Sequence, residues 1–363
     1  MMAYGNRHEH DENRSYTRRD ALGLGSGALA ALLGTTLLGC TAPHTAEDEA
    51  LYESQHAPAQ PEPEAEAPEP TPEPDISTLV YDEQTVPLER NGIGLHVVRT
   101  QVTGQVPERS ILLVHGLTYS SHVFDINYED YSLVRFLARL GYAVWRLDIA
   151  GYGESGELWN GYLPNSDYAA EDVAAAAELA VQTDGRERID VLGWSWGTVV
   201  ASRMTAWYPH LVNRLVLYAP ILHGLGMVDY LDPFHYNTWE HAASDFQRRE
   251  DGSFNDDISD PVLRDLYCAS CWHYDGDTSP NGGRLDLCVD QSVVLIDLAS
   301  IPTPTLVLCG DADPNLDFDA VNASLGLLPA GSALEIIPGG GHLVMYEKPF
   351  YHEFQQCLTT FLG

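Results

Sequence analysis

Basic residues are scarce in this chain, and lysine is almost missing. The 363 residues include 19 Lys and Arg against 53 Asp and Glu, a net charge of −34, and Lys348 is the single lysine. Residues 76–363 hold 15 of the basic and 39 of the acidic residues. This charge argues against nucleic acid, polyanionic substrates and electrostatic attachment to anionic lipid. We expect a small-molecule substrate and attribute the acidity chiefly to solubility.

Sequence patterns for bound cofactors are also missing. There is no glycine-rich phosphate loop and no dinucleotide fingerprint, so we expect no cofactor and no catalytic metal. Of the six cysteines, Cys268, Cys271 and Cys288 cluster in one segment. In an exported protein, a disulfide from Cys288 to one of the other two is the favoured interpretation. A metal site that combines these three thiols with His273 is the alternative.

The longest uncharged run of the chain is near the N-terminus. Residues 21–39 are uncharged, follow Arg18-Arg19 and end directly before Cys40. This arrangement resembles a twin-arginine export signal followed by a lipoprotein cleavage box, which implies removal of 1–39 and a lipid on Cys40. A retained membrane anchor is the alternative, because 19 uncharged residues could just span a bilayer. We expect an exported lipoprotein, periplasmic or on the cell surface, that contacts the membrane only through its lipidated N-terminus.

The segment 40–75 has the composition of a linker. It alternates Pro and Glu, as in Pro61-Glu62-Pro63-Glu64, and contains ten acidic and no basic residues. Such a segment cannot pack a core and is expected to be extended and solvated. Residues 76–363 are therefore predicted to form the globular domain.

Short apolar runs alternate with helical patterns through this domain. Continuous apolar strands between helices predict a mostly parallel twisted sheet with helices on both faces, and the earliest strands, which lack helices, predict an antiparallel edge. The predicted strands are 95–102, 111–114, 142–147, 189–192, 215–218, 305–308 and 334–337, and the predicted helices are 131–140, 168–181, 198–208 and 350–362.

Residues 221–298 break this alternation. The segment is rich in Asp and aromatic residues and lies between the strands that end at Tyr218 and begin at Thr305. We interpret it as a lid above the strand ends, where ligands bind in open α/β sheets, with an ordinary surface insertion as the alternative. Its carboxylates, for example Asp229, Asp232 and Glu240, could bind a substrate amine.

A serine flanked by glycines follows one of the apolar runs. Gly193-Trp194-Ser195-Trp196-Gly197 comes directly after Ile189-Asp190-Val191-Leu192, and a helical pattern follows. A Gly-x-Ser-x-Gly segment between a strand and a helix is typical of a nucleophile elbow, in which a sharp turn exposes the serine. Gly193 and Gly197 are predicted to be steric requirements of that turn.

Taken together, five motifs resemble those of the α/β-hydrolase superfamily over residues 85–363. The resemblance implies the α/β-hydrolase fold and a catalytic serine that is activated by a histidine and an acid. The motifs are His115-Gly116, Asp148-Ile149-Ala150-Gly151-Tyr152-Gly153-Glu154-Ser155, the elbow, Gly310-Asp311-Ala312-Asp313-Pro314, and Gly340-Gly341-His342 followed by Glu347-Lys348-Pro349.

The resemblance assigns roles to individual residues. Ser195 is the nucleophile, His342 the general base, and Asp313 the acid that orients the histidine, with Asp311 as the rival for that role. A tetrahedral intermediate needs two N–H donors for its oxyanion, and the resemblance implies the backbone amides of Leu117 and Trp196.

Three aromatic or imidazole side chains near the elbow have open roles. His115 is predicted to be structural, whereas Trp194 and Trp196 could line the substrate pocket or pack beneath the elbow. The Ser-Trp-Gly sequence is also similar to the elbow of proline iminopeptidases, although their Gly-Pro-Gly after the first His-Gly is absent here. We expect a carboxylesterase-like serine hydrolase that cleaves a small neutral or cationic ester. The alternatives are an iminopeptidase-like aminopeptidase, a carbon–carbon bond hydrolase, and a binding lipoprotein on an inactive hydrolase fold.

Overall fold

The structure of the protein is a computed structural model that describes residues 78–363 except 229 and 230. The predicted export signal, Cys40 and the linker 40–75 lie outside the described residues. Within the described part of the chain, no helix is long and apolar enough to cross a membrane.

Twelve strands are present in the described residues. They are β1 (Tyr81–Thr85), β2 (Leu88–Arg90), β3 (Ile93–Leu95), β4 (Val97–Val102), β5 (Arg109–Val114), β6 (Tyr142–Leu147), β7 (Ile189–Trp194), β8 (Val212–Tyr218), β9 (Phe234–Tyr236), β10 (Thr278–Pro280), β11 (Thr305–Gly310) and β12 (Ala333–Ile337).

Eight of these strands form the central sheet, in the order β1-β4-β6-β5-β7-β8-β11-β12. The pairs from β6 to β12 are parallel, and β4 is antiparallel to both β1 and β6. The predicted fold class and the antiparallel edge are therefore confirmed. The run predicted as one strand over 95–102 is broken at His96, whose backbone N–H donates to Ser155 Oγ at 2.8 Å.

Helices cover both faces of the sheet. They are α1 (Leu133–Arg139), α2 (Ser166–Asp184), α3 (Trp196–Trp207), α4 (Trp239–Ala242), α5 (Pro261–Asp275), α6 (Gly282–Leu287), α7 (Phe318–Ser324) and α8 (Tyr351–Leu362).

Each face of the sheet has its own apolar core. Alternate residues of β5 divide between them, since Leu112 and Val114 pack with α2 and α3, whereas Ile111 and Leu113 pack with α1 and α8. This division follows from the two-residue period of a strand that is buried on both sides.

The expected disulfide is wrong. Cys268 and Cys271, both on α5, are buried, Cys288 directly follows α6, and all three are free thiols. The first two behave as small apolar residues in the core next to Tyr267, and burial raises the pKa of Cys268 to about 12. The three thiols also do not assemble with His273 into a group of metal ligands in the described structure.

Candidate active site

Ser195 occupies a strained turn between β7 and α3. Its backbone has φ 56° and ψ −123°, a region that non-glycine residues rarely adopt. A Cβ atom on Gly193 would overlap the carbonyl of Gly197, and a Cβ on Gly197 would overlap the carbonyl of Val114. Glycine at these two positions is therefore what lets the backbone turn so sharply at the serine.

His342 and Asp313 form a buried pair. His342 Nδ1 lies 2.7 Å from Asp313 Oδ2, and the Asp313 side chain has no exposed surface. The other carboxylate oxygen of Asp313 accepts a hydrogen bond from Asn315 N at 2.9 Å. Asp311, the rival acid, is exposed and instead accepts from Gly339 N at 2.5 Å. The structure thus brings Asp313, and not Asp311, to the histidine.

Two aromatic side chains hold the backbone of His342 in place. Its carbonyl accepts hydrogen bonds from Trp194 Nε1 at 3.2 Å and from Tyr218 OH at 2.9 Å. Trp194 is only 2% exposed, so its main contacts are in the core. It also lines a cavity next to Ser195. Burial opposes a charged His342, but the charge and hydrogen bond of Asp313, together with the charges of Asp245 and Glu347, raise the pKa of His342.

His115 aligns the segment that precedes Leu117. Its Nε2 accepts from Ile149 N at 3.1 Å, so the proton must be on Nδ1, which donates to Gly116 O at 2.8 Å. The carbonyl of Gly116 and the amide of Leu117 belong to one peptide plane and point in opposite directions. Holding that carbonyl therefore fixes the direction of the Leu117 N–H.

The Leu117 and Trp196 amides have no hydrogen-bond acceptor among the described residues. Trp196 is the first residue of α3, where N–H groups have no partner within the helix. Its indole is buried and donates to Ser166 Oγ at 2.9 Å. Two free backbone donors next to Ser195 are what an oxyanion requires.

A cavity of about 210 Å³ connects Ser195 with residues of the segment 221–298. Asp232 and Glu240, suggested as ligands for an amine, do not line it, and Asp229 lies outside the described residues. The lining residues are Leu117, Thr118, Tyr119, Trp194, Ser195, Ile221, Leu225, His241, Ser244, Asp245, Arg284, Leu287, Asn315 and His342.

Arg284 brings a positive charge into this cavity. Its Nη2 donates to Thr118 Oγ1 at 2.7 Å and its Nη1 donates to Asn281 Oδ1. No carboxylate of the described residues forms an ion pair with it. Burial, followed by the Arg284 charge, lowers the pKa of His235 to about 4 and also lowers that of His241, so both rings are neutral at pH 7.

Sequence reasoning missed Arg284, although one signal for it was available. Two glycines precede it, and a Cβ on Gly283 would overlap the Trp196 ring and approach the Leu117 side chain. The glycine lets α6 approach the elbow closely, which brings Arg284 to the cavity.

Comparisons with known proteins identify the family of this chain. The model of the alpha/beta hydrolase family matches residues 111–350. A protein of Synechocystis sp. whose name describes a non-heme chloroperoxidase is 27% identical over 259 residues, 64% of this chain and 84% of its own. A solved bromoperoxidase from Bacillus anthracis has a TM-score of 0.54 at 20% identity and covers 77% of this chain and 99% of its own.

A second solved structure is similar to the same degree. It is a serine hydrolase involved in carbazole degradation, with a TM-score of 0.53 at 19% identity, covering 78% of this chain and 99% of its own. At such identities the solved structures show the fold, whereas the family model spans about two thirds of the chain. This protein belongs to the alpha/beta hydrolase family.

Proposed function

We propose that this protein is a serine hydrolase that cleaves small esters through an acyl-enzyme. The observation that carries the proposal is the buried His342–Asp313 hydrogen bond of 2.7 Å beside a cavity that also exposes Ser195 at its strained turn. A serine hydroxyl is a weak nucleophile, and a histidine held by an acid activates it.

The residues have complementary parts in the proposed reaction. Ser195 Oγ attacks the ester carbonyl while His342 Nε2 takes its proton, and the Leu117 and Trp196 amides bind the oxyanion that forms. The intermediate then expels the alcohol, which receives the proton from His342. Water then attacks the acyl-enzyme in the same way, with His342 again as the base, and releases the carboxylic acid. Asp313 stays ionised and holds the Nδ1–H tautomer, which leaves Nε2 free for Ser195.

The cavity favours a substrate of a different charge from the one expected from the composition. The acidic surface led us to expect a neutral or cationic ester. Arg284 is a partly buried cation without an acidic partner among the described residues, and a substrate carboxylate would supply the missing charge. We therefore narrow the proposed substrate to a small ester with a carboxylate close to the scissile bond.

A fluorophosphonate probe and mass spectrometry test the proposal on the full chain. We expect one adduct, on Ser195, which is lost in Ser195→Ala and strongly reduced in His342→Ala. The exposed Ser292→Ala variant is a matched control that should label normally. If the folded protein gives no adduct, the binding lipoprotein on an inactive hydrolase fold becomes the better interpretation.

A substrate panel separates the enzymatic alternatives. It compares esters with and without a carboxylate, aminoacyl amides, and diketones whose carbon–carbon bond can be cleaved. Faster turnover of substrates with a free amine would favour the aminopeptidase, and turnover of diketones alone would favour the carbon–carbon hydrolase.

Peroxide-dependent chlorination is the second candidate function, favoured by the name of the Synechocystis relative. Hydrogen peroxide could replace water in the second half of the proposed reaction, giving a peracid, which oxidises chloride to hypochlorous acid and returns the carboxylic acid. Peroxide-dependent chlorination of a dye in the presence of an ester, and its loss in Ser195→Ala, would support this function.

A further inference from the structure

Away from the Ser195 cavity, two histidines and a glutamate from three separate segments converge beside the sheet. His96 lies between β3 and β4, His122 is in the 3₁₀ helix Ser121–Phe124, and Glu154 is in the loop after β6. One potential ligand atom of each lies within 4.8 Å of the other two. We propose that these three side chains form a binding site for a single zinc ion.

The two distances from the carboxylate oxygen to the ring nitrogens fit a tetrahedral zinc site. Glu154 Oε2 lies 3.3 Å from His96 Nε2 and 3.2 Å from His122 Nε2. Zinc bonds of about 2.0–2.1 Å to imidazole nitrogen and carboxylate oxygen place neighbouring ligand atoms about 3.3 Å apart in a tetrahedron. The carboxylate oxygen is thus one tetrahedral edge away from each ring nitrogen.

His122 has a buried ring nitrogen that lacks a hydrogen bond. Its Nε2 is close to Glu154 Oε2, but the direction required for a hydrogen bond is not met. The ring itself is held in place, since it stacks on Tyr274 with parallel planes and 3.3 Å between centroids. A buried nitrogen without a partner costs free energy, and a coordinated metal ion would remove that cost.

The charges around the three side chains favour a cation. The carboxylate of Asp148 is buried, and its Oδ2 lies 3.8 Å from His122 Nε2. Arg146 is nearby but forms an ion pair with Glu83 at 3.2 Å. In the described structure, neither Asp148 nor Glu154 has an arginine or lysine partner. A dication would balance these two carboxylates.

The proposed site has room for a further ligand. It opens into a cleft of about 620 Å³, which His96, His122, Glu154 and Tyr274 help to line. Three protein ligands and a water molecule are a common coordination of zinc, and imidazole ligands favour zinc over Mg²⁺ or Ca²⁺. The ion would join the start of β4, the 3₁₀ helix Ser121–Phe124 and the loop after β6, so we expect it to stabilise the fold.

Zinc binding to the full chain, stripped of metal with a chelator, tests the proposal. We titrate ZnCl₂ by calorimetry and also measure thermal unfolding with and without zinc. Both measurements are needed, because other histidines, outside the described residues, can bind zinc and add to the calorimetric signal. We expect His96→Asn and Glu154→Gln each to weaken one binding event at least about tenfold and to abolish the zinc-dependent rise in Tm. His210→Asn and Glu157→Gln, at exposed positions, are matched controls that should behave like wild type.

The position of the ion is tested separately, in case a ligand variant does not fold. Crystals of the wild-type chain grown with zinc should show an anomalous peak at the zinc edge between the three side chains. Ser195→Ala should bind zinc as wild type does, which separates this site from the proposed hydrolase activity. Zinc binding that survives both ligand substitutions unchanged, or the absence of a peak between these side chains, would overturn the proposal.

Discussion

At the scale of single residues, the candidate active site depends on which of two neighbouring aspartates contacts the histidine. Asp313 is buried on His342, whereas Asp311 is exposed and bonded to the amide of Gly339. The two carboxylates are two residues apart, so composition and motif spacing alone left the choice open. The proline after Asp313 favours extended backbone, consistent with a loop acid, but only the tertiary contact distinguishes the two.

We expect Asp313→Asn to lower kcat for ester hydrolysis by about three to four orders of magnitude, as loss of the orienting acid does in Ser-His-Asp enzymes. The same change removes the charge that raises the pKa of His342, so the acid limb of the rate profile should move to lower pH. Steady-state kinetics between pH 5 and 9 measure both effects. Asp311→Asn is the matched control, and an inactive Asp311→Asn beside an active Asp313→Asn would contradict our assignment.

At the scale of elements, what could be predicted was whatever depends on local sequence. Seven of the eight strands of the central sheet and the helices α1, α2, α3 and α8 were predicted, because apolar runs and helical periodicity mark buried elements directly. The edge strand β1 was missed, because Tyr81–Thr85 is mostly polar and exposed. The elbow was predicted because a turn around Ser195 admits only glycine at two positions. The strand over 95–102 was predicted as unbroken, because a contact such as that of the His96 amide with Ser155 leaves no trace in the pattern.

The segment 221–298 shows why the rest could not be predicted. Its side chains reach the cavity only because β9 and β10 pair and α6 packs on Trp196, and these contacts depend on tertiary structure. Asp245 and Arg284 line the cavity, while Asp232 and Glu240, which were suggested from composition, do not. The expected disulfide failed for a similar reason, since Cys268 and Cys271 are buried in the core.

This segment supplies the charge that we expect to select the substrate. Because a hydrogen bond to a charged group contributes about 1.5–3 kcal/mol, Arg284→Gln should raise KM for carboxylate-bearing esters at least about tenfold. Neutral esters should change by only a few-fold. Arg264→Gln is the matched control, because Arg264 pairs with Asp256 at 3.1 Å and does not line the cavity.

An equal loss for both classes of ester would give Arg284 a different role. Its contact with Thr118 Oγ1 would then serve to position the segment that carries the Leu117 amide. Measuring kcat and KM separately distinguishes these outcomes, since lost substrate binding raises KM and a misplaced oxyanion donor lowers kcat.

At the scale of the whole molecule, acidity is the dominant property. Residues 76–363 contain 39 acidic and 15 basic residues, so carboxylates repel one another across the fold at neutral pH. Some of this negative charge is also in the interior. Glu347 has no exposed surface, and burial raises its pKa to about 7, although Gly341 N donates to its Oε2 at 2.7 Å.

This raised pKa predicts how stability depends on pH. Between the ordinary pKa of 4.5 and about 7, folded Glu347 binds a proton that the unfolded chain releases, so its contribution to stability falls as pH rises through this window. Buried neutral histidines such as His115 have the opposite effect below pH 6.5, so the wild-type curve alone cannot isolate the contribution of Glu347.

The free energy of unfolding should therefore be compared between wild type and Glu347→Gln by urea titration from pH 5 to 8. Gln can still accept the Gly341 hydrogen bond, so we expect the variant to gain about 1–3 kcal/mol relative to wild type over this range. Exposed Glu187→Gln should show no such gain, and parallel curves for wild type and Glu347→Gln would mean that Glu347 does not titrate in this window.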